Sequence, residues 1–318
     1  MSSRVIVEFE GVSFRYGRAE RWAARDLSFR VYRGEVLGLV GPNGSGKTTI
    51  FRLLMGFLKA EDGCLSIGGD EPAEHRVKNG IGYLPEQVRL PADVRVYEFA
   101  MLMARLAGLA AEKARSAVAE LMNTLSLADR STSPIGWLSH GYRQRVGLLA
   151  ALLGDPQLIL MDEPANGLDP SSVGVLRYVI RTLKRQGRTV IVSSHNLAEL
   201  ERVCDELLIL REGTSIGRFK REAFTGRPDV WIVRLGDNGR LRLTQLGRLR
   251  ARFGGVQLAT DETGFKEGRC AREFARRLTV AGAVVETIER RHFDLEFLFH
   301  SMVQEHSPEI GSTHARDS

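Results

Sequence analysis

Short apolar runs alternate with longer mixed stretches through the first two thirds of the chain. Four runs rich in Val, Ile and Leu predict buried strands of a parallel sheet: 35–40, 158–161, 189–192 and 206–210. Helices are predicted at 47–57 and 173–185, between these strands. The alternation of strand and helix predicts an α/β core.

Two further patterns modify this core. Apolar and polar residues alternate at 5–9 and 27–31, which predicts strands of an N-terminal sheet. Residues 94–125 are rich in Ala, Leu and Met with apolar positions three and four apart, which predicts a helical stretch. We therefore expect one domain over 1–213, with a helical subdomain inserted at about 88–155.

A different pattern begins at residue 214. Strands are predicted at 231–235, 256–259 and 284–288, and helices at 272–278 and 293–304. These elements predict a small C-terminal α+β unit over 214–305. Residues 306–318 are polar and are expected to be a disordered tail.

Composition and charge narrow the setting. The net charge of +6 comes from basic residues scattered among acids, which favours a solvated basic surface over a nucleic-acid patch. The three cysteines are far apart and favour a reducing compartment. The richest apolar stretch, 146–154, is much shorter than the roughly 20 residues of a membrane span, and the N-terminus lacks the apolar core of a signal peptide. We expect a cytoplasmic protein.

The strongest chemical signal is GPNGSGKT at 41–48, directly after the strand 35–40. It fits the phosphate-binding loop pattern G-x-x-x-x-G-K-[ST] in full. Glycines let backbone N–H groups face phosphate oxygens, and the positive N-terminus of the next helix faces the same anion. Lys47 is expected to reach the terminal phosphates, and the Thr48 hydroxyl to ligate Mg²⁺.

Two adjacent acids follow the apolar run 158–161. Asp162 is placed to hold Mg²⁺ through water, and Glu163 to polarise an attacking water. Two carboxylates at a strand end can also be a solvated terminus, but the phosphate loop needs such a partner. Together the two motifs predict binding and hydrolysis of a nucleoside triphosphate.

A third motif, LSHGYRQR at 138–145, resembles the signature of the ATP-binding cassette (ABC) family. The family pattern usually has Gly and Gln where this chain has His140 and Tyr142, whereas Ser139 and Gly141 are retained. Because the motif opens a helix, Ser139 and nearby N–H groups are expected to form an anion site. In the family, this site faces the γ-phosphate bound by a second cassette.

Four further matches follow the family's order across 1–213. Tyr16 resembles the aromatic residue that stacks on adenine, and Gln87 resembles the glutamine that touches Mg²⁺. Asp169 belongs to a segment that resembles the loop linking the two sites, and His195 resembles the histidine that contacts the γ-phosphate. The resemblance implies an α/β P-loop NTPase of the ABC type, with a RecA-like core, an N-terminal antiparallel β subdomain, the inserted helical subdomain and the C-terminal unit.

The resemblance also implies roles for individual residues. The implied catalytic residues are Glu163, His195 and Gln87. The implied Mg²⁺ site consists of Thr48, Gln87 and Asp162. The implied ATP contacts are Tyr16, Asn43, Gly44, Ser45, Gly46, Lys47, Thr48, Thr49, Ser139, Gly141 and Asp169.

The principal functional hypothesis is the ATP-binding subunit of a transporter, on the inner face of the cell membrane. The family implies two partners: a second cassette, as homodimer or heterodimer, and a separate membrane permease. Residues 88–91 and the following helix are the expected docking surface. The run at 83–86, the end of the signature and the segment 293–298 resemble exporter ATPases.

Two other classes stay open. A soluble ABC ATPase acting on ribosomes or DNA is disfavoured, because the chain carries one cassette and lacks sustained heptads between Lys47 and Ser139. The basic stretch of Arg240, Arg242, Arg248, Arg250 and Arg252 keeps it in view. A regulatory cassette that binds ATP without hydrolysing it has no support, since Glu163 and His195 are both present.

Overall fold

The computed structural model describes residues 5–17, 21–223, 230–236, 243–253, 255–257, 262–265 and 267–291. The chain divides into two compact units, Met1–Lys220 and Arg221–Ser318. The strands, in chain order, are β1 (Val5–Phe14), β2 (Ala24–Tyr32), β3 (Val36–Val40), β4 (Asp62–Ile67), β5 (Gly82–Leu84), β6 (Leu158–Met161), β7 (Thr189–Ser194), β8 (Glu206–Arg211), β9 (Thr214–Lys220), β10 (Val230–Leu235), β11 (Val256–Gln257), β12 (Glu262–Phe265) and β13 (Val285–Arg291). The α-helices are α1 (Lys47–Leu54), α2 (Pro72–Asn79), α3 (Val96–Leu106), α4 (Ala111–Thr124), α5 (His140–Leu152), α6 (Pro170–Arg185), α7 (Leu197–Val203), α8 (Leu243–Arg252) and α9 (Gly268–Val280).

The core of the first unit is a six-stranded sheet in the order β5-β6-β7-β3-β8-β9. The first five strands in that order are parallel. Four of them were predicted from their apolar runs, and the short strand β5 was not. Every residue of β3, β6 and β7 is buried, which explains why these strands lack polar alternation. The carboxyl ends of parallel strands meet at one edge, so the loops after β3, β5, β6 and β7 converge there.

The predicted N-terminal sheet is antiparallel, in the order β2-β1-β4. Its buried side chains share one hydrophobic core with α1 and the central strands. Phe9 and Phe29 stack with ring centroids 4.3 Å apart, and Ile50 and Phe51 of α1 are buried in the same cluster. This packing fixes α1 behind the phosphate loop.

The helical stretch predicted over 94–125 is two helices. α3 and α4 are separated at Gly108, whose φ of +82° is a left-handed conformation that ends a helix. Buried positions recur at Val96, Ala100 and Ala104 in α3, and at Val118 and Met122 in α4. The amphipathic spacing was therefore predicted correctly, and the break between the helices was missed.

The core sheet continues one strand beyond β8, the last of the apolar runs predicted for the first domain. β8 and β9 form an antiparallel hairpin in which Arg211 pairs with Thr214. Both intervening residues, Glu212 and Gly213, have positive φ, as a tight two-residue hairpin turn requires. The contact boundary consequently lies after Lys220 and not after residue 213.

The second unit is a four-stranded antiparallel sheet in the order β11-β12-β10-β13. With α8 and α9 it follows the split β-α-β-β-α-β arrangement. Val233, Phe265, Phe274 and Leu278 lie in its core. The predicted small α+β unit is confirmed, although α8 was not predicted. Residues 258–260, the helix predicted at 293–304 and the tail at 306–318 lie outside the described residues.

No helix in the described ranges is long and apolar enough to cross a membrane.

Two neighbouring carboxylates, Glu35 and Glu206, lie at the amino ends of β3 and β8 and are expected to make the stability of the protein depend on pH. Burial, together with a hydrogen bond to the Glu206 side chain, raises the pKa of Glu35 to about 7. Glu206 is itself buried and accepts a hydrogen bond from Arg218 at 2.6 Å. The folded state therefore holds a proton on Glu35 more tightly than the unfolded chain does.

Because the folded pKa of Glu35 is raised, the free energy of unfolding falls as pH rises from about 4.5 to about 7. We expect Glu35→Gln to remove this loss, stabilising the protein by on the order of 1–2 kcal/mol above pH 7, after a discount for partial exposure. The gain shrinks towards pH 4.5. Urea unfolding of both proteins across this range measures the effect, and a difference that does not change with pH would contradict it.

Candidate active site

The phosphate loop connects the carboxyl end of β3 to the amino end of α1. Two of its glycines cannot be replaced without movement of the backbone: a Cβ on Gly41 would collide with the Leu210 carbonyl oxygen, and one on Gly46 with that of Ala23. Gly46 also has a φ of +107° and, being glycine, cannot cap α1 with a side chain. The first N–H groups of α1 are therefore left for an external anion.

A cavity of about 440 Å³ opens over this loop. Its described lining contains these predicted residues: Tyr16, Asn43, Gly44, Ser45, Gly46, Lys47, Thr48, Thr49, Glu163 and His195. It also contains three that were not predicted: Ala23, Glu86 and Asn166. Five predicted residues are not part of this lining: Gln87, Ser139, Gly141, Asp162 and Asp169.

Lys47, Glu163 and His195 form a connected group beside the cavity. Lys47 Nζ donates to the Gly41 carbonyl oxygen at 2.6 Å and lies 3.3 Å from Glu163 Oε1. Glu163 Oε2 is 2.9 Å from His195 Nδ1 and accepts the backbone N–H of His195 at 3.2 Å. The three side chains predicted from separate motifs are thus connected, with Glu163 contacting both of the others.

The carboxylate of Glu163 is held with one oxygen available. Oε1 is buried and has no hydrogen-bond partner among the described residues, its Lys47 contact being an ion pair only. The backbone of Glu163 has a φ of +46°, an uncommon conformation for a residue other than glycine. This strained turn at the end of β6 keeps a buried acceptor beside the phosphate loop, where it can bind a water proton.

Asp162 lies one residue earlier and is 1% exposed. Burial raises the pKa of Asp162, and hydrogen bonds from the hydroxyls of Ser193 and Thr48 oppose that rise. Ser193 Oγ donates to Asp162 Oδ1 at 2.7 Å and accepts the Glu163 N–H at 2.8 Å. Ser193 was not predicted as a site residue, although its place at the end of a buried strand was a usable signal.

Thr48 and Asp162 supply two hard oxygen ligands beside the phosphate loop. Mg²⁺ prefers oxygen, and in phosphate-transfer sites it commonly binds through one or two protein groups together with substrate phosphates. The donor set therefore fits the cation that the sequence implied. Gln87 is exposed, and the neighbouring Glu86 takes the place at the cavity wall.

Tyr16 lies at the rim of the cavity, with 43% of its surface exposed. Its hydroxyl is 3.3 Å from Thr49 Oγ1 and accepts from Arg52 at 3.0 Å. Phe14 meets the ring edge-on, with centroids 5.0 Å apart. An exposed aromatic fixed in this way is suited to stacking on a base.

The signature motif forms a separate structure. Ser139 is the N-cap of α5 and accepts the Tyr142 N–H at 3.4 Å. Asp169 caps α6 by accepting hydrogen bonds from the backbone N–H groups of Ser171 and Ser172. The hydrogen bond from the Ser172 hydroxyl, together with these backbone bonds, lowers the pKa of Asp169. Asp169 therefore positions the start of α6, a structural role that the motif alone did not indicate.

Gly141 is the contact point between these two helix starts. A Cβ at Gly141 would lie 2.5 Å from Ser172 Oγ. That hydroxyl cannot move aside freely, because it donates to Asp169 at 2.8 Å and accepts from Arg145 at 3.1 Å. The Gly141 position thus requires the absence of a side chain.

We expect Gly141→Ala to destabilise the protein by about 1–3 kcal/mol, because the added methyl overpacks this contact. Gly174→Ala is the matched control: it lies in α6 with no atom within 4 Å of the added Cβ. The control is expected to be neutral or to stabilise by up to about 1 kcal/mol. Thermal unfolding of the two variants tests this, and equal melting temperatures would contradict the assigned contact.

Comparison with known proteins identifies a family and relatives that this chain resembles. A family model described as ABC transporter matches residues 24–166. The Nod factor export ATP-binding protein I of Burkholderia orbicola (strain AU 1054) is 35% identical over 213 residues, covering 66% of this chain and 69% of the relative.

Two solved structures are also similar. One, described as the ATP binding subunit of an ABC transporter, is 26% identical with a TM-score of 0.63, covering 86% of this chain and 99% of that chain. Another, the ATP-binding cassette MJ0796 in a dimeric post-hydrolysis state bound to ADP and Pi, is 22% identical with a TM-score of 0.61, covering 68% of this chain and 99% of that chain. The second likeness concerns the fold alone.

Proposed function

This chain belongs to the ABC transporter family as an ATP-binding, ATP-hydrolysing subunit, and from that premise we propose that it works as half of a cassette dimer driving export through a separate membrane permease. The observation that carries the proposal is the group of Lys47, Glu163 and His195 over the phosphate loop. Export is supported by the 35% identical relative named as an export ATP-binding protein.

Hydrolysis follows from where the charges lie. The loop N–H groups and Lys47 bind the phosphates and stabilise the charge that develops on them. Glu163 Oε1, which has an ion pair with Lys47 but no hydrogen bond, accepts a proton from the attacking water. His195, held by the other oxygen, reaches the terminal phosphate. Mg²⁺ held by Thr48 and Asp162 would neutralise the phosphate charge.

The dimer is supported by the residues outside the cavity. Ser139 and Gly141 begin α5, whose N-terminus is an anion site that the chain's own cavity does not use. A second copy would bring this helix start to the phosphates of the first. The similar cassette bound to ADP and Pi is dimeric.

A groove between α2, α3 and the end of α5 supports the proposal that a membrane permease docks on this chain. It has a volume of about 540 Å³, and its lining includes Val77 and Leu106, which are 82% and 72% exposed. Apolar side chains exposed beside a groove are typical of a protein docking site. The docking surface expected from sequence consisted of residues 88–91 and the following helix. That helix, α3, contributes Met103 and Leu106 to the groove, whereas 88–91 are not part of its described lining.

The test is a pull-down of tagged Glu163→Gln protein with ATP from detergent-solubilised native membranes. We expect a multi-span membrane protein, which is lost when Leu106→Asp is added to the groove. The matched control is Tyr178→Asp, an exposed position on α6 outside that groove, and it should retain the partner. Recovery of ribosomes or nucleic acid with no membrane protein would overturn the transporter proposal in favour of a soluble ABC ATPase.

A further inference from the structure

The exposure of one tryptophan is unexplained by the fold or by the cavity. Trp137 is 85% exposed, the highest fraction among the large hydrophobic side chains in the described part of the chain. It is the second residue before Ser139. An indole in water at this position forfeits the large gain that its burial would give, so a covering partner is expected.

The backbone that carries Trp137 is firmly held. It ends a 3₁₀ turn, Ile135–Trp137, between the buried side chains of Ile135 and Leu138. The Ile135 N–H donates to the Val94 carbonyl oxygen at 2.9 Å, and the Gly136 N–H donates to Ala92 at 2.8 Å. The indole is thus presented to solvent by a fixed turn, and its exposure is not that of a loose loop.

The chain between Trp137 and α5 is extended. Leu138 and Ser139 have ψ values of 147° and 165°. Two extended residues span up to about 7 Å, which is comparable to the path from a terminal phosphate across a triphosphate towards its ribose. An α5 N-terminus placed on a γ-phosphate therefore allows Trp137 to reach the ribose end of the same nucleotide.

The other side of that nucleotide leaves room for such a contact. Tyr16 is placed to stack on the base from within the cavity, and the cavity rim at Tyr16 is open to solvent. Neither Trp137 nor Ser139 belongs to the described lining of the chain's own cavity. A contact between Trp137 and a bound nucleotide would therefore involve the nucleotide of a second molecule.

We propose that Trp137 covers the ribose end of the ATP bound by a second copy of this chain, sealing each nucleotide at the dimer interface. The inference rests on the cassette dimer of the proposed function. It assigns to Trp137 a positioning role that is separate from the anion site at Ser139. Nucleotide escape and water entry at the rim are slowed when the indole is in place.

The first test uses Trp137 as its own probe. The chain has three tryptophans, so Trp22→Phe and Trp231→Phe in the Glu163→Gln protein leave Trp137 as the sole emitter. With ATP, light scattering reports the dimer and acrylamide quenching reports the accessibility of the indole. We expect the quenching constant to fall severalfold on dimerisation.

The second test compares Trp137→Ala with Trp137→Phe, again in the full Glu163→Gln chain. We expect Ala to raise the ATP concentration for half-dimerisation about tenfold, which corresponds to ~1.4 kcal/mol, and Phe to retain most of the effect. ATP binding to the dilute monomer should not change. In the chain with Glu163 intact, Trp137→Ala should raise KM for ATP more than it lowers kcat.

The possible outcomes distinguish a failure of the role assigned to Trp137 from a failure of the proposed cassette dimer. A dimer in which Trp137 stays fully quenchable, or in which Trp137→Ala dimerises normally, overturns the role of Trp137 and leaves the proposed function standing. Failure of the Glu163→Gln chain to dimerise with ATP at all overturns the homodimer, and the inference with it.

Discussion

Glu163→Gln is expected to lower the rate of ATP hydrolysis by on the order of 10²–10⁴, the usual effect of removing a general base. The Glu163 carboxylate is buried, and its Oε1 atom, which has no hydrogen bond, lies beside Lys47 of the phosphate loop. An amide of the same size keeps the packing, but it cannot accept the proton of the attacking water. The measurement is phosphate release under conditions where ATP saturates the wild-type protein.

The control for this substitution is ATP binding, which should survive because Lys47 and the loop glycines are unchanged. Glu86→Gln is the matched charge change, since Glu86 also lines the cavity but is not in the Lys47–His195 group. It should cause a much smaller loss. Near-normal hydrolysis in Glu163→Gln, or an equal loss in Glu86→Gln, would remove Glu163 from the role of base.

Lys47→Ala is expected to weaken ATP binding by at least about 10²-fold, since a charge-assisted hydrogen bond contributes ~1.5–3 kcal/mol and the ammonium can serve two phosphates. Lys47 is buried, and its stem is fixed by the bond to the Gly41 carbonyl oxygen. Lys47→Arg should not restore binding, because a planar guanidinium does not reproduce the compact ammonium that is buried between the Gly41 carbonyl oxygen and Glu163. Calorimetric titration with ATP and Mg²⁺ measures the effect.

The same substitution has a second expected result without nucleotide. Lys47→Ala removes a positive charge 3.3 Å from buried Glu163, which should lower stability because a buried carboxylate loses its partner. Adding Glu163→Gln should recover part of that loss. If Lys47→Ala binds ATP normally, the assignment of the phosphate loop as the triphosphate site fails.

The phosphate loop and the acid pair could be predicted because each is a contiguous run whose chemistry depends on local order. Four of the five parallel strands were predicted for the same reason, since burial on both faces leaves an unbroken apolar run. The fifth, β5, has only three residues and was missed. The parts that sequence missed depend on contacts between distant residues. Asn166 lines the cavity because the loop after β6 turns back over it, and a single asparagine in that loop carries no pattern.

Two other differences between the sequence patterns and the structure have a similar cause. Gln87 and Glu86 are neighbours in a loop, and which of them faces the cavity depends on how the chain leaves β5. Gly108 divides α3 from α4 because of its positive φ, although glycine inside an amphipathic pattern is also tolerated in helices. The basic stretch from Arg240 to Arg252 was considered only for its charge, and the helix α8 within it was not predicted.

The hairpin of β8 and β9 determines where this protein can be divided. A version ending at residue 213 would expose the whole hydrogen-bonding edge of β8, whose side chains are almost all buried, and open strand edges of this kind promote aggregation. It would also remove Arg218 and leave the carboxylates of Glu35 and Glu206 facing one another without a cation. Any exchange of the C-terminal unit, in the laboratory or in evolution, therefore preserves the ATPase only if the junction follows Lys220.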